Sequence, residues 1–330
     1  MIGRRSFLGG LTAPLMALLA PVDGTADDLG AIRVGVLQFG TVNWELDVIE
    51  HHGLDHKHGF TLVVQGFGSD QATDVALQGR AVDAIVSDWL WVSRQRAAGQ
   101  LLTFVPFSSA VGALMVARDS GIESVRDLAG KRIGIAGGPL DKSWLLLQAL
   151  AAREGGPELL AEAELVYGAA PLLNQQAEAG ALDAVLNYWH FAARLEARGF
   201  RLLIDVEQIA RELGIEHGVP QLGYVFHEDW ANENAELALA FVAASREPKQ
   251  ILLRSDQEWQ RIPPLIKAED DATFEVLKRR WRDGVPESFG EAERASAAAL
   301  FRLLADLGGE RLVGPAPELQ PGTFWSEVTF

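Results

Sequence analysis

The alternation of apolar and polar positions predicts a recurring strand–turn–helix unit, which is clearest between residues 111 and 150. Apolar runs at 113–117 and 132–136 predict two strands. A turn rich in glycine at residues 137–139 follows, and it precedes a helix whose apolar positions recur at nearly helical spacing. A strand that leads through a glycine turn into a helix is the Rossmann-like unit. Such a unit places ligand groups at the end of the strand and at the start of the helix.

The same pattern occurs earlier in the chain. The run at residues 33–37 precedes the run at 132–136 by 99 residues, and residues 83–89 match residues 183–189 at an offset of 100. Each of the latter two runs begins with Asp-Ala, continues as a strand and ends in tryptophan. The same order of elements at nearly the same offset indicates two structurally equivalent lobes. We therefore predict a duplicated α/β fold.

Two apolar runs, at 113–117 and 222–226, are predicted as lone strands that leave the first and the second copy. We interpret them as a two-strand hinge between the lobes. From Asn232 onward the apolar spacing is helical. A helical tail cannot extend a sheet, so we expect it to pack back on the first lobe. The predicted first lobe comprises residues 31–112 and 225–330, and the predicted second lobe comprises residues 113–224.

The amino terminus has the features of an export signal. Arg4 and Arg5 precede a modest apolar segment and a small-residue site, which is the pattern of a twin-arginine signal peptide over residues 1–26. The alternative is a single membrane anchor, but the apolar run is shorter than the ~18 residues that a span needs. We therefore exclude residues 1–26 from the fold.

Charge and composition narrow the function classes. A net charge of −16 predicts no affinity for nucleic acid or for anionic lipid surfaces. The absence of cysteine excludes disulfides, thiolate metal sites and iron–sulfur clusters. The sequence also has no nucleophile elbow, zinc-protease motif, P-loop or dinucleotide fingerprint. We predict no catalytic residues, no cofactor and no enzyme activity.

The run from Ser120 to Gly134, with Ser124-Val125, Asp127-Leu128 and Gly130-Lys131-Arg132, resembles a signature of ABC-importer substrate-binding proteins. The resemblance is to the sulfonate, taurine and thiamine-precursor (NMT1/THI5-like) branch. It implies a periplasmic-binding-protein type II-like fold, with two Rossmann-like lobes on a hinge. It also implies a periplasmic protein that captures a small solute and delivers it to an ABC permease and ATPase complex. From the duplicated lobe pattern we predict that the mature chain is a monomer.

The ligand is expected between the lobes, because open α/β sheets bind ligands beyond the carboxyl ends of their strands. We call the turns at these strand ends the cleft turns. Trp89 and Trp189 stand at matching positions of the two lobes, so closure could clamp a flat or cationic group between them. Core packing is the alternative for both, and it is favoured for Trp44. The predicted ligand-binding residues are Asn43, Trp44, Ser69, Asp70, Asp88, Trp89, Gly138, Asp141, Ser143, Asn187 and Trp189.

The charges of these turns favour a cationic or nitrogen-rich ligand over a sulfonate, since aspartates outnumber lysines and arginine is absent. Asp70 and Asp141 have an alternative role as helix N-caps. Asp88 has a weaker case as a cap, so we expect it to contact the cationic group of the ligand. A free helix N-terminus within residues 137–143 could instead bind an anion, with Lys142 adding positive charge.

Two further interpretations stay open. One is an enzyme on the same fold, similar to pyrimidine-synthesising or dehydratase relatives of this branch. The other is a metal-binding importer component, in which aspartates of the cleft turns hold a hard cation. His52 and His56 have the spacing of a metal pair, but we favour a solvated helix end there and predict no metal site.

Overall fold

The computed structural model describes residues 29–155 and 161–330, and it contains two five-stranded sheets flanked by helices. The predicted signal segment at residues 1–26 lies outside the described residues. The strands are β1 (Ala31–Leu37), β2 (Thr61–Phe67), β3 (Ala84–Asp88), β4 (Leu102–Ser108), β5 (Gly112–Val116), β6 (Arg132–Ala136), β7 (Glu164–Gly168), β8 (Ala184–Tyr188), β9 (Arg201–Asp205) and β10 (Leu222–His227).

The helices connect the strands and then form the carboxyl-terminal part of the chain. A 3₁₀ turn at Val125–Leu128 precedes β6, and the last helix is broken at Gly309, where φ is +58°. The helices are α1 (Val42–His51), α2 (Leu54–Lys57), α3 (Asp70–Gln78), α4 (Trp89–Ala97), α5 (Lys142–Gly155), α6 (Ala170–Glu178), α7 (Trp189–Ala197), α8 (Val206–Glu212), α9 (Glu228–Glu233), α10 (Ala235–Arg254), α11 (Asp256–Arg261), α12 (Pro263–Ile266), α13 (Asp271–Asp283) and α14 (Glu291–Val313).

The two sheets have equivalent strand orders, β2-β1-β3-β10-β4 and β7-β6-β8-β5-β9. The duplication extends to single contacts. The amide of Arg33 donates to Asp83 Oδ2 at 2.8 Å, and the amide of Arg132 donates to Asp183 Oδ2 at 2.8 Å. In both lobes the guanidinium also pairs with the same carboxylate. The prediction of a duplicated α/β fold is confirmed.

The description of the two hinge strands as lone strands needs a correction, because each is an interior strand of a sheet. β5 lies between β8 and β9, and β10 lies between β3 and β4. Both run antiparallel to their neighbours. The chain passes between the sheets just before these strands, at residues 109–111 and 218–221, where the amide of Gln221 donates to the Ser108 carbonyl at 3.0 Å. Strand β5, which follows the first sequence copy, therefore joins the second sheet, and β10, which follows the second copy, joins the first sheet.

The helical tail also needs a correction, because it contacts both lobes. Helix α10 packs on α1 of the first lobe, as expected. Helix α13, however, packs on α7 of the second lobe, and α14 packs on both α4 and α5. Arg280 Nε lies 2.8 Å from Glu196 Oε2, and Arg198 Nη1 lies 3.0 Å from Asp270 Oδ2. The tail is therefore a bridge between the lobes, and its apolar stripes cover surfaces of both.

Candidate functional site

The cleft turns of the two lobes meet at an ion pair between Asp88 and Lys142. Asp88 ends β3 of the first lobe, and Lys142 is the first residue of α5 in the second. Lys142 Nζ lies 3.1 Å from Asp88 Oδ2, and both side chains are largely shielded, with 19% and 29% of their surface exposed. This contact places the carboxyl ends of the two sheets against each other.

Asp88 has a second role, which corrects the expectation that it makes a poor helix cap. Its Oδ1 accepts a hydrogen bond from the Trp91 amide at 2.7 Å, so it is the N-cap of α4. Both carboxylate oxygens therefore have protein partners, because Oδ2 accepts from Lys142. Asp88 holds the first-lobe side of the cleft in place and is not a free carboxylate that awaits a ligand.

Two other carboxylates of the first lobe lie close to Asp88. Burial and the charge of Asp88 raise the pKa of Asp70. Burial and the charges of Asp70 and Asp88 raise the pKa of Asp74 to about 6. The mutual repulsion shows that negative charge accumulates at this side of the cleft. Asp74 was missed from the sequence, although its position one helical turn after Asp70 was an available signal.

The second lobe adds Asp141 and Tyr188. Asp141 Oδ1 accepts from the amides of Ser143 at 2.9 Å and Trp144 at 3.2 Å, so it caps α5. Burial nevertheless raises the pKa of Asp141. Burial and the charges of Asp141 and Asp70 raise the pKa of Tyr188, whose side chain remains 40% exposed. Because Asp70 belongs to the first lobe, this coupling crosses the cleft.

The glycine turn after β6 lies against these groups. Gly137 has φ of +93°, and a Cβ there would lie 2.9 Å from Asp141 Oδ2 and 3.2 Å from the Tyr188 hydroxyl. A side chain at residue 137 would therefore collide with the carboxylate and strain the backbone. Gly138, a predicted site residue, has φ of +131° and open space beside its Cα. The backbone of the turn is thus the part that a ligand can approach.

Several predicted site residues hold the turns in place through their own hydrogen bonds. Asn43 Nδ2 donates to the carbonyls of Leu37 and Gly40, each at 2.8 Å. Asn187 is buried, its Nδ2 donates within the second lobe, and its Oδ1 accepts from the next amide. Ser69 caps α3, and Ser143 is buried at the start of α5. The hydrogen-bonding atoms of these side chains have protein partners or are buried. The side chains therefore fix the shape of the turns.

The tryptophans are arranged differently from the predicted clamp. Trp89 is 1% exposed, and its ring lies 6.4 Å from Phe301 and 6.2 Å from Phe324, in a core that the tail completes. The pair that does join the lobes is Trp44 and Trp189, whose rings meet edge-to-face at 6.0 Å. Trp89 and Trp189 therefore belong to separate clusters. Trp89 is not part of a clamp because the carboxyl-terminal tail covers it. Its position at a strand end does not reveal this covering.

Histidines that follow α1 and α2 make carboxylate contacts. His52 Nε2 lies 3.1 Å from Glu258 Oε2, and His58 Nε2 lies 2.6 Å from Glu247 Oε1. Over residues 29–155 and 161–330, no group of three or more potential ligand side chains is arranged to hold a metal.

Comparisons with known proteins agree with this architecture. The family model described as NMT1/THI5 like matches residues 62–258. The aliphatic sulphonate-binding protein SsuA of Escherichia coli is 19% identical, with a TM-score of 0.71 over 90% of this chain and 98% of that one. The alkanesulfonate-binding SsuA of Xanthomonas axonopodis, bound to MOPS, is 18% identical, with a TM-score of 0.64 over 89% and 98%.

An ABC transporter protein of Parabacteroides distasonis is 15% identical, with a TM-score of 0.68 over 90% of this chain and 99% of its own. No curated protein matches the sequence significantly. These structures confirm the predicted periplasmic-binding-protein type II-like fold. Among the helices of the described residues, none is long and apolar enough to cross a membrane.

Proposed function

We propose that this chain, which belongs to the NMT1/THI5-like family, is the solute-binding component of an ABC importer. The observation that carries the proposal is the meeting of the two sets of cleft turns, where Lys142 pairs with Asp88 across the lobes. A site at the carboxyl ends of two sheets can enclose a small organic solute as the lobes close. The sulfonate-binding relatives with the same fold support this assignment.

The charges around the cleft favour a solute with a cationic or nitrogen-rich portion. Asp70, Asp74, Asp88 and Asp141 lie at the cleft, and Lys142 is the cation that pairs with one of them. Repulsion and burial already raise the pKa of Asp70 and Asp74, so a cation beside them would be stabilised and an anion repelled. The alternative, a sulfonate, would have to use Lys142 and the amides of the Gly137–Gly138 turn.

The remaining parts of the proposal follow from the import role. Closure moves residues 113–224 against residues 31–112 and 225–330, with the crossings at 109–111 and 218–221 as the hinge. Residues 1–26 direct twin-arginine export, and the mature protein is a periplasmic monomer that delivers its solute to a permease and ATPase complex. The helical tail contacts both lobes, so α13 and α14 must slide on the second lobe as it closes. These contacts restrict the directions in which the lobes can move.

Native mass spectrometry of the mature chain tests the function. We expect a small molecule to be retained through purification and to be recovered unchanged after incubation with the protein. Recovery of a chemically altered molecule at catalytic rates would contradict the import role and support the enzyme alternative.

Calorimetry with amine, heterocycle and sulfonate panels tests the charge of the solute. Asp70→Asn and Asp74→Asn should each weaken a cationic ligand about tenfold, since a charge-assisted hydrogen bond contributes about 1.5–3 kcal/mol. Asp306→Asn, on the exposed surface of α14, is the matched control and should leave affinity unchanged. Tight sulfonate binding that survives both cleft substitutions would overturn the assignment of a cationic solute.

A further inference from the structure

A cavity of about 320 Å³ lies on the first lobe, apart from the cleft turns. It is enclosed by α10, the connection between α13 and α14, and Pro106 of β4. Val242, Leu253 and Val285 supply apolar wall. The volume is at the lower end of the range for small-molecule sites, about 300–1,000 Å³. A molecule of six to ten heavy atoms, roughly, is the size that such a cavity accommodates.

Two cations of α10 line this cavity side by side. Arg246 and Lys249 are three residues apart, which places them on one face of the helix. The Lys249 ammonium is bonded to Glu45 and lies 4.0 Å from the centre of the Phe107 ring. The Arg246 guanidinium lies 4.3 Å from the centre of the Phe330 ring. Within the described part of the chain, no carboxylate forms an ion pair with Arg246.

Two carboxylates also belong to this region: Glu287 lines the cavity, and Glu45 is bonded to Lys249. Burial raises the pKa of Glu45 to about 7, although the neighbouring Lys249 acts in the opposite direction. Burial lowers the pKa of Lys249, the bond to Glu45 opposes this shift, and the like charge of Arg246 adds to it. Arg282, at the opposite wall, has its own partner in Asp256 at 2.8 Å. An anion between Arg246 and Lys249 would relieve their repulsion.

We propose that this cavity binds a small monocarboxylate with a short apolar chain. Its carboxylate lies between Arg246 and Lys249, and its chain packs on Val242 and Leu253. Arg246 forms the outer contact, because it is exposed, and Lys249 forms the inner one, because it is 8% exposed. The site is independent of the interlobe cleft and of the solute that the cleft takes.

Protein-observed NMR with sodium hexanoate, and with hexylammonium chloride as the charge-reversed match, tests the site. Hexanoate should shift the amides of residues 242–253 at millimolar concentration, and hexylammonium should not. Arg246→Gln should weaken hexanoate about tenfold. Arg302→Gln, on the exposed face of α14, should leave it unchanged.

The paired variant Glu45→Gln/Lys249→Met removes the inner ammonium without leaving a buried carboxylate unpaired, and it should abolish the hexanoate shifts. Equal hexanoate affinity in Arg246→Gln overturns the proposal, as do equal shifts with hexylammonium. Hexanoate shifts confined to the cleft turns also overturn it, because the carboxylate would then occupy the interlobe site.

Discussion

The ion pair between Lys142 and Asp88 should hold the lobes together, and its contribution can be worked out from its exposure. An exposed pair contributes about 0.2–1 kcal/mol, whereas hydrogen bonds to charged groups contribute about 1.5–3 kcal/mol. With side-chain exposures of 19% and 29%, this pair lies between those cases. We take about 1 kcal/mol, which corresponds to a roughly fivefold change in the ratio of closed to open protein.

Asp88→Asn separates the ion pair from the helix cap. Asparagine caps a helix about as well as aspartate, so this substitution keeps the bond to the Trp91 amide and removes the charge. Lys142→Gln removes the other partner. In a double-mutant cycle measured by urea unfolding, the two substitutions should couple by about 1 kcal/mol. Asp88→Ala should lose about 1 kcal/mol more than Asp88→Asn, because it also removes the cap.

Small-angle scattering of the unliganded protein provides the conformational measurement. Both single variants should show a larger radius of gyration than the wild type, and 1 M salt should enlarge the wild type in the same direction. A coupling energy indistinguishable from zero, together with equal radii for all proteins, would refute the reasoning. A coupling energy of about 1 kcal/mol without a change in the radius of gyration would mean that the ion pair stabilises a single closed conformation.

Three other predictions concern stability. Asp74→Asn should stabilise the protein by about 1 kcal/mol at pH 7, allowing for solvent screening. The wild-type carboxyl has a folded pKa of about 6, so this gain should disappear in urea unfolding below about pH 4. Burial and Arg194 lower the pKa of His190 to about 4. The folded protein therefore resists protonation of His190. The unfolding free energy of the wild type should fall by at most about 3 kcal/mol for this reason as the pH drops from 6.5 to 4, and His190→Phe should not show this loss. Trp44→Ala should lower the unfolding free energy by about 3–5 kcal/mol in urea unfolding, because Trp44 is buried against Trp189, and an unchanged unfolding free energy would contradict this contact between the lobes.

The duplicated architecture was predictable because it rests on local signals. Apolar strands, glycine turns and the Arg33–Asp83 and Arg132–Asp183 pairs recur at offsets of 99 to 100 residues, and each is formed within its own copy. The exchange of β5 and β10 was not predictable from the same signals, because it depends on which sheet each strand joins. Their continuous apolar runs were nevertheless a usable cue, since strands buried on both faces have that pattern.

The strand-end turns that the sequence singled out do meet in the structure, and their role in ligand binding stays a prediction. Position alone did not distinguish Asp88 as a cap from Asp88 as a free carboxylate, because both roles suit the residue that ends a strand and begins a helix. Trp89 is buried by the tail, whose packing on both lobes depends on long-range contacts. The ion pair of Lys142 could not be predicted from the sequence, because its partner Asp88 lies in the other lobe.

The strand exchange also fixes the order in which the chain can complete its lobes during synthesis on the ribosome. Strands β5 to β9 are consecutive in sequence, so the second sheet has all its members once Asp205 has emerged. The first sheet still lacks the strand between β3 and β4, which begins only at Leu222. An incomplete sheet exposes unpaired strand edges and is prone to aggregate. The nascent protein therefore carries an open first sheet throughout the synthesis of its second lobe.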